Sequence, residues 1–280
     1  MLLKNCTQIL TLGPRGTFSD EASKKILTSG INISYTKTFH ETLQKVSEDR
    51  NSVAVVPVEN SVAGTVAQVQ DALVINDLVI LAEINLPIDY ALLANADLSS
   101  VNLCFAHPQA LEQSSRFISK NLYHAERRFT MSNIDSGIQF LDKVGSRIEN
   151  VAAIVPLSFA EKNKKWVQSL EIQDYKNNTT RFLVVRSRFS DDKLDYSCKK
   201  TSLLIEFHED RSGLLYQLLS VFNLFQINLC RLESRPAKET PWAYVFFVDF
   251  YNSKNTEQCL EVLSSSSFTF KVLGSYDLLN

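Results

Sequence analysis

The chain has 280 residues, of which 45% are hydrophobic, and this length and composition predict about two domains with substantial cores. Its formal charge of −2 gives no global basic signal for nucleic acid or an anionic membrane. The five cysteines are widely spaced and the four histidines lack metal-ligand spacing, so neither a disulfide framework nor a metal site is indicated. No segment approaches the roughly 20 apolar residues of a membrane span, and no long apolar signal region is present. We therefore expect a soluble, cytoplasmic protein.

The first 77 residues alternate between strand and helix patterns, which is typical of a parallel α/β sheet. Strands are predicted at 7–12, 31–36 and 53–58, and helices at 20–29, 39–49 and 66–75. Gly13 and Gly16 after the first strand permit a tight turn before the first helix. Polar loops are then expected at the carboxyl ends of the strands, where α/β proteins bind small ligands.

A second α/β unit follows two further strands, at 78–87 and 90–94. It begins with a strand at 101–106, and the helix predicted at about 109–120 carries Gln113 one turn after Gln109. A helix around 136–144 and a strand at 151–155 complete the unit. Two α/β lobes with chain crossings between them form a cleft, which is the usual location of a small-molecule site.

The C-terminal part of the chain predicts a separate domain with the ferredoxin-like order βαββαβ. Its strands are predicted at 201–208, 227–235, 242–250 and 268–274, and its helices at 213–225 and 256–263. We therefore divide the chain into a two-lobed domain at 1–189, a polar linker at 190–198 and a third unit at 199–280. One lobe is expected at about 1–77 plus 175–189, and the other at about 78–174.

Two polar clusters beside apolar strands are the strongest functional signals. The run 53–58 ends in Glu-Asn-Ser-Val-Ala-Gly-Thr at 59–65, and a strand that delivers polar groups to a helix N-terminus is typical of small-anion sites. Residues 177–181, Asn-Asn-Thr-Thr-Arg, lead into an apolar strand. Their hydroxyls, amides and guanidinium suit a carboxylate-bearing ligand, because Arg binds carboxylates bidentately. An ordinary helix cap and a polar loop are the alternatives.

Seven short motifs connect these features and occur in one order. They are Gly-Pro-Arg-Gly-Thr-Phe-Ser at 13–19, Val-Pro-Val-Glu-Asn-Ser at 56–61 with Gly-Thr-Val at 64–66, His-Pro-Gln-Ala-Leu at 107–111 with Gln113, Thr-Arg-Phe at 180–182, Ile-Asn-Leu at 227–229, Glu-Ser-Arg-Pro at 233–236 and Gly-Ser-Tyr at 274–276. Over nearly its whole length the chain thereby resembles prephenate dehydratase with a C-terminal ACT domain. The resemblance implies an α/β fold with a two-lobed, periplasmic-binding-protein-like catalytic domain and a ferredoxin-like regulatory domain.

The resemblance also implies an activity, the conversion of prephenate to phenylpyruvate with loss of water and CO2 in L-phenylalanine biosynthesis. Aromatisation drives this reaction, so a proton donor and a cradle for two carboxylates suffice, with no metal or organic cofactor. By the resemblance, the catalytic residues are Thr180, Asn60 and Gln113, and the substrate-binding residues are Glu59, Ser61, Thr65, Arg181 and Ser132. Arg181 could instead brace its loop against Glu59.

The ACT domain implies allosteric regulation by L-phenylalanine and a homodimer or homotetramer. The effector is expected in a loop of one subunit against the Asn228 region of a neighbouring subunit. The candidate effector-binding residues are Asp210, Ser212, Gly213, Leu214, Asn228, Leu229, Glu233 and Ser234. A purely structural pairing domain is the alternative for this part of the chain.

Two other functions remain open at this point. An arogenate dehydratase would use the amino analogue of prephenate, and no residue decides between the two substrates. A non-catalytic amino-acid sensor is favoured by Ala106 and Asn133, which stand where the family usually has hydroxyl side chains. The intact Thr180 and Gln113 argue against a sensor. Since no chorismate mutase segment precedes Gly13, we expect a monofunctional enzyme.

Overall fold

The computed structural model describes residues 3, 5–190, 192–207, 211–237, 243–266 and 268–279. Its strands are β1 (Gln8–Leu12), β2 (Asn32–Thr36), β3 (Ser52–Asn60), β4 (Gly64–Thr65), β5 (Leu78–Pro87), β6 (Tyr90–Ala94), β7 (Leu103–Ala106), β8 (Glu126–Phe129), β9 (Val151–Pro156), β10 (Val167–Ser169), β11 (Thr179–Ser187), β12 (Lys200–Phe207), β13 (Leu229–Pro236), β14 (Tyr244–Tyr251) and β15 (Phe268–Leu279). Its α-helices are α1 (Phe18–Lys24), α2 (Phe39–Glu48), α3 (Ala67–Ile75), α4 (Pro108–Gln113), α5 (Ser115–Asn121), α6 (Asn133–Gly145), α7 (Leu157–Lys162), α8 (Leu214–Leu224) and α9 (Thr256–Ser264). Within these described ranges, no helix is long and apolar enough to cross a membrane.

The larger sheet joins strands from both ends of the chain, in the order β13-β14-β12-β15-β5-β11-β3-β1-β2, with β4 beside β3. Strands β1, β2 and β3 are parallel, as the sequence predicts. Strand β11 returns from the other lobe and runs antiparallel between β3 and β5. The resulting register sets Thr180 opposite Asn60 and Arg181 opposite Glu59, so the two polar clusters of the sequence lie side by side.

The smaller sheet, in the order β10-β6-β9-β7-β8, forms the core of the second lobe. The chain passes between the two sheets from β5 to β6 and again from β10 to β11. The lobe boundary expected near residue 78 is therefore wrong, because β5 pairs with both β11 and β15 in the larger sheet. We keep the names lobe 1 for β1–β5 and β11 with α1–α3, and lobe 2 for β6–β10 with α4–α7.

The helix predicted at about 109–120 is divided into α4 and α5 at Ser114. Asp174 causes this break from a distant part of the sequence. Its backbone N–H donates to the Gln113 carbonyl at 2.7 Å, and its carboxylate accepts from Ser115 Oγ and the Arg116 N–H. The Asp174 carboxylate, from outside the helix, thus accepts from a free N–H group at the start of α5, and Gln113 becomes the last residue of α4.

The C-terminal strands lie in the order β13-β14-β12-β15, which is the ferredoxin-like arrangement that the sequence predicts. One face of this sheet packs on α8 and α9, for example through Leu203 and Leu218. The other face, including Leu204 and Phe247, belongs to the same buried apolar cluster as residues of lobe 1. The mixed α/β fold class is confirmed, whereas the domain boundaries at 189 and 199 stay a prediction.

Candidate active site

The three residues predicted to be catalytic lie together between the two lobes. Thr180 and Asn60 are neighbours across β11 and β3, and the Asn60 Nδ2 donates to Thr180 Oγ1 at 2.9 Å. Gln113 approaches from lobe 2, with its Nε2 3.5 Å from Asn60 Oδ1. All three are buried, at 5–9% exposure. The structure thus brings residues from three distant segments to one point.

A fourth residue, Asn178, completes this group, which we call the amide–hydroxyl cluster (Asn60, Gln113, Asn178 and Thr180). Asn178 Oδ1 accepts from Asn60 Nδ2 at 2.7 Å, and its Nδ2 donates to Gln113 Oε1 at 2.9 Å. The side chain is only 2% exposed. The sequence placed Asn178 in a polar run without distinguishing it from its neighbour Asn177, whose side chain is exposed.

The orientation of the Asn60 carboxamide is fixed by the backbone. The N–H groups of Val62 and Ala63 donate to Asn60 Oδ1 at 3.0 and 2.8 Å. Since a backbone N–H can only donate, this end of the side chain must be the oxygen, and the opposite end must be the NH2 group. Thr180 Oγ1 is therefore an acceptor toward Asn60. Among the described residues the Thr180 hydroxyl donates to no protein group, which leaves its proton for a ligand.

Ser61 connects the two polar loops rather than joining the amide–hydroxyl cluster. Its Oγ accepts from the Thr179 N–H at 2.9 Å and donates to the Asn177 carbonyl at 3.3 Å. Its N–H donates to the Thr179 carbonyl at 2.9 Å. The side chain thus holds β11 beside the loop after β3, and this arrangement sets the spacing of Asn60 and Thr180.

Ser132, another predicted substrate contact, lies at the N-terminus of α6. Its Oγ accepts from the Asp135 N–H at 3.1 Å, so the hydroxyl acts as a helix cap. No hydrogen bond among the described residues joins Ser132 to the amide–hydroxyl cluster. In the adjacent Asn133, the side-chain Oδ1 is buried and has no hydrogen-bond partner among the described residues.

The lobes also meet beside the turn that follows β1. Phe18 packs edge-to-face on Tyr90, with ring centroids 5.7 Å apart. Ser158 of lobe 2 donates a hydrogen bond to the carboxyl group of Glu21. Burial raises the pKa of Glu21 above its ordinary value, although this hydrogen bond opposes the change. These contacts hold lobe 2 close to the Gly-Pro-Arg-Gly-Thr-Phe-Ser turn.

Arg181 points away from the amide–hydroxyl cluster, toward the ferredoxin-like sheet. Its guanidinium donates to Glu83 at 2.7 Å, to Asp249 at 2.6 Å and to the Tyr276 hydroxyl at 2.8 Å, and it lies 3.8 Å from Glu59. Burial alone would lower the pKa of Arg181, but the groups around it, Asp249 foremost, raise that pKa above its usual value. Since each of its three nitrogen atoms already donates to a protein group, Arg181 is placed to brace lobe 1 against the ferredoxin-like sheet rather than to grip a substrate.

Thr65 and Glu59, two predicted substrate residues, lie next to β13. Thr65 Oγ1 donates to the Glu233 carboxylate, which also accepts from Gln70 Nε2 at 3.2 Å and from Arg231 at 2.6 Å. Arg231 Nε is 3.6 Å from the Glu59 carboxylate. A residue predicted to bind the effector, Glu233, therefore contacts a residue predicted to bind substrate.

The remaining predicted effector residues occupy two separate places in this single chain. Ser212, Gly213 and Leu214 lie at the start of α8, where Gly213 has a φ of +86° that favours glycine. Asn228 and Leu229 lie at the start of β13, and Ser234 is exposed, on the opposite face of this strand from Glu233. Asp210 lies outside the described residues.

The fold places a buried polar cluster where two α/β lobes meet, and it joins a ferredoxin-like unit to lobe 1. A family model described as "Prephenate dehydratase" matches residues 9–190. The prephenate dehydratase of Methanocaldococcus jannaschii is 33% identical, over 99% of this chain and 100% of that protein. The bifunctional chorismate mutase/prephenate dehydratase of Aquifex aeolicus is 31% identical, over 98% of this chain and 74% of that protein. The chain belongs to the prephenate dehydratase family.

Two solved structures agree with this assignment. The prephenate dehydratase from Staphylococcus aureus has a TM-score of 0.81 and 31% identity, covering 96% of this chain and 99% of its own. The prephenate dehydratase from Arthrobacter aurescens, solved in complex with L-Phe, has a TM-score of 0.82 and 26% identity, covering 96% and 89%. The two-lobed and ferredoxin-like parts of the predicted fold are thus found together in known members of the family.

Proposed function

We propose that this chain is a prephenate dehydratase, a hydro-lyase that converts prephenate to phenylpyruvate, and that L-phenylalanine regulates it through the ACT domain. The observation that carries the catalytic part is the Thr180 hydroxyl, which accepts from Asn60 and keeps its own proton free among the described residues. A donor of this kind, buried between two lobes, is what the expulsion of a hydroxyl group requires.

The reaction places few demands on the protein. The carboxylate on the ring leaves as CO2, its electron pair moves through the ring, and the bond from C4 to the hydroxyl oxygen breaks. The departing oxygen takes one proton and becomes water, so the overall reaction consumes a proton from solvent. Thr180 Oγ–H donates to this oxygen as negative charge develops there. Donation of this kind contributes roughly 10²–10⁴-fold to the rate.

Asn60 makes the Thr180 hydroxyl a better donor. A threonine hydroxyl is a weak acid, so partial proton transfer leaves negative charge on Oγ1. The Asn60 Nδ2, already 2.9 Å from this atom, stabilises that charge without reorganisation. Among the described residues, Gln113 Nε2 makes only the long 3.5 Å contact to Asn60, and it supplies a further donor to the substrate. Ser61 holds the loop after β3 beside β11, and Ser132 caps α6.

The regulatory part of the proposal rests on the contacts of β13. The solved relative from Arthrobacter aurescens is a complex with L-Phe, and this chain retains the Glu-Ser-Arg-Pro segment at 233–236. The first residue of that segment touches Thr65 directly. An effector that changes the position of β13 would therefore alter the loop that follows Asn60. A cytoplasmic location and a dimeric or tetrameric assembly are further parts of this proposal.

The decisive experiment measures phenylpyruvate formation from prephenate by the purified protein, with and without millimolar L-phenylalanine, and with arogenate as a parallel substrate. Turnover of prephenate that L-phenylalanine suppresses is the expected result. Turnover unaffected by L-phenylalanine would remove the regulatory part and retain the catalytic part. Preference for arogenate would identify the sibling enzyme, and binding of L-phenylalanine without any turnover would identify a sensor.

A further inference from the structure

We propose that Asn178 is the positioning residue of the amide–hydroxyl cluster, and this inference rests on the function proposed above. Asn178 lies in the segment that leads from lobe 2 into β11, and it uses both ends of its carboxamide. It accepts from Asn60 in lobe 1 and donates to Gln113 in lobe 2. It thereby joins the catalytic groups of the two lobes and decides which end of Gln113 is turned toward the substrate.

The direction of every hydrogen bond in the cluster follows from the two backbone donors at Val62 and Ala63. They make the facing atom of Asn60 its oxygen, so Asn60 Nδ2 points at Asn178 and Thr180. Asn178 must then present its own oxygen to Asn60, and its NH2 group faces Gln113. Gln113 accordingly presents Oε1 to Asn178 and retains Nε2 as a donor.

Reversal of any one carboxamide would oppose two donors or two acceptors. If Asn178 turned over, its NH2 group would face that of Asn60, and its oxygen would face Gln113 Oε1. Such mismatched pairs are costly in a buried site, because water cannot replace the lost partners. Asn178 therefore transmits the polarity fixed at Val62 and Ala63 across the cleft. Nothing else among the described residues hydrogen-bonds to Gln113 Oε1.

The substitution Asn178→Asp tests this role because its effect depends on pH. A protonated carboxyl group has one acceptor and one donor, so it reproduces both contacts of the native carboxamide. The ionised form has only acceptors, and its second oxygen would repel Gln113 Oε1 and turn the Gln113 carboxamide around. Burial raises the pKa of the introduced carboxyl above the ordinary value of about 3.9, so the titration falls within an accessible pH range.

The expected result is a loss of kcat/KM in Asn178→Asp that appears as pH rises through this pKa. Relative to wild type, the variant should be nearly fully active at low pH and reduced roughly tenfold or more at high pH. The matched control is Asn177→Asp, which introduces the same group one residue earlier on an exposed side chain. Its pH profile should follow that of wild type. Thermal melting at each pH separates unfolding from a change in the site.

A double-mutant cycle provides the second test, because a positioning residue acts through its partner. Asn178→Ala and Gln113→Ala should each lower kcat/KM, and the double variant should be hardly worse than Gln113→Ala alone. Additive losses would overturn the proposal, as would a wild-type pH profile for Asn178→Asp. Failure of the wild type to turn over prephenate would overturn the proposed function and this inference with it.

Discussion

At the scale of single residues, two adjacent threonines at the start of β11 differ in what surrounds their hydroxyl groups. Thr179 Oγ1 is directed at the carbonyl of Asn177, two residues back, at 3.4 Å. Thr180 lies on the other face of the strand, buried, with Asn60 Nδ2 as its partner. Only Thr180 combines burial between the lobes with a proton that no described protein group accepts.

We therefore expect Thr180→Ala to lower kcat by roughly 10²–10⁴-fold while the protein stays folded. Thr179→Ala, which removes the same group one position away, should leave kcat within a few-fold of wild type, because its backbone pairing with Ser61 is retained. Steady-state assays with prephenate and circular dichroism would measure both effects. Full activity of the Thr180 variant would refute the role given to its hydroxyl.

Arg181 is the residue for which the structure most changes the interpretation of the sequence. Removing its charge would leave the buried carboxylate of Asp249 without its ion-pair partner among the described residues, and that of Glu83 with Lys200 alone. We expect Arg181→Met to lower the free energy of unfolding by about 3–5 kcal/mol. Arg128→Met, at an exposed ion pair with Glu126, should change it by only about 0.5 kcal/mol or less.

Urea denaturation of the two arginine variants would test this expectation. A substrate-binding role for Arg181 predicts a different pattern, in which the apparent KM for prephenate rises and the stability hardly changes. That pattern would support the substrate-binding role inferred from the sequence and contradict the bracing role of Arg181.

At the scale of elements, the contact of β15 with β5 is closer than any side chain would permit. A Cβ atom added to Gly274 would lie 2.3 Å from the Ile80 carbonyl oxygen and 2.9 Å from the Ile80 Cβ. Backbone atoms cannot move aside as the end of a flexible side chain can. The glycine therefore sets the distance at which the ferredoxin-like sheet joins lobe 1.

We expect Gly274→Ala to destabilise the protein by about 1–3 kcal/mol, as overpacking does in other cores. Gly145→Ala is the matched control, because a Cβ there meets nothing within 4 Å at the end of α6. That change should be neutral or stabilising by up to about 1 kcal/mol, since alanine favours helix more than glycine does. Equal melting temperatures for the two variants would contradict the close contact.

Local patterns predicted most of these elements, and distant partners explain the exceptions. The strands and helices of residues 1–77 follow their own hydrophobic periodicity, and most of them match the prediction. The exception is α1, which spans Phe18–Lys24 where the sequence predicts a helix at 20–29. The break at Ser114 depends on Asp174, and the role of Arg181 depends on Asp249. Neither partner is visible in a local pattern. The same holds for Asn178, whose importance appears only when lobe 2 brings Gln113 to it.

At the scale of the whole molecule, β13 connects the predicted effector element to the cleft. Glu233 contacts Thr65 and Gln70, and Arg235 pairs with Asp71 at 3.0 Å. Alternate residues of one strand thus face lobe 1, while Ser234 faces away. A displacement of β13 on effector binding would move Thr65, which Glu233 contacts, and with it the segment that follows Asn60.

We expect Glu233→Gln to reduce the response to L-phenylalanine, so that the ratio of rates with and without effector approaches one. The carboxamide replaces a carboxylate that joins Thr65 to Arg231 and weakens this connection. Calorimetry distinguishes the cause, because a coupling residue leaves L-phenylalanine binding in place and an effector-binding residue does not. Ser234→Ala, on the other face of β13, should instead weaken the binding of L-phenylalanine itself. An unchanged inhibition curve for Glu233→Gln would exclude both roles.

The parallel pairing of Asp277, Leu278 and Leu279 with Ala82, Glu83 and Ile84 has a consequence for protein engineering. A C-terminal unit that looks modular along the chain shares backbone hydrogen bonds with lobe 1. A transplant made at residues 190–198 alone would present a foreign last strand to β5. Chimeras between relatives should therefore exchange β5 together with the C-terminal unit, so that the paired strands β5 and β15 come from the same parent protein.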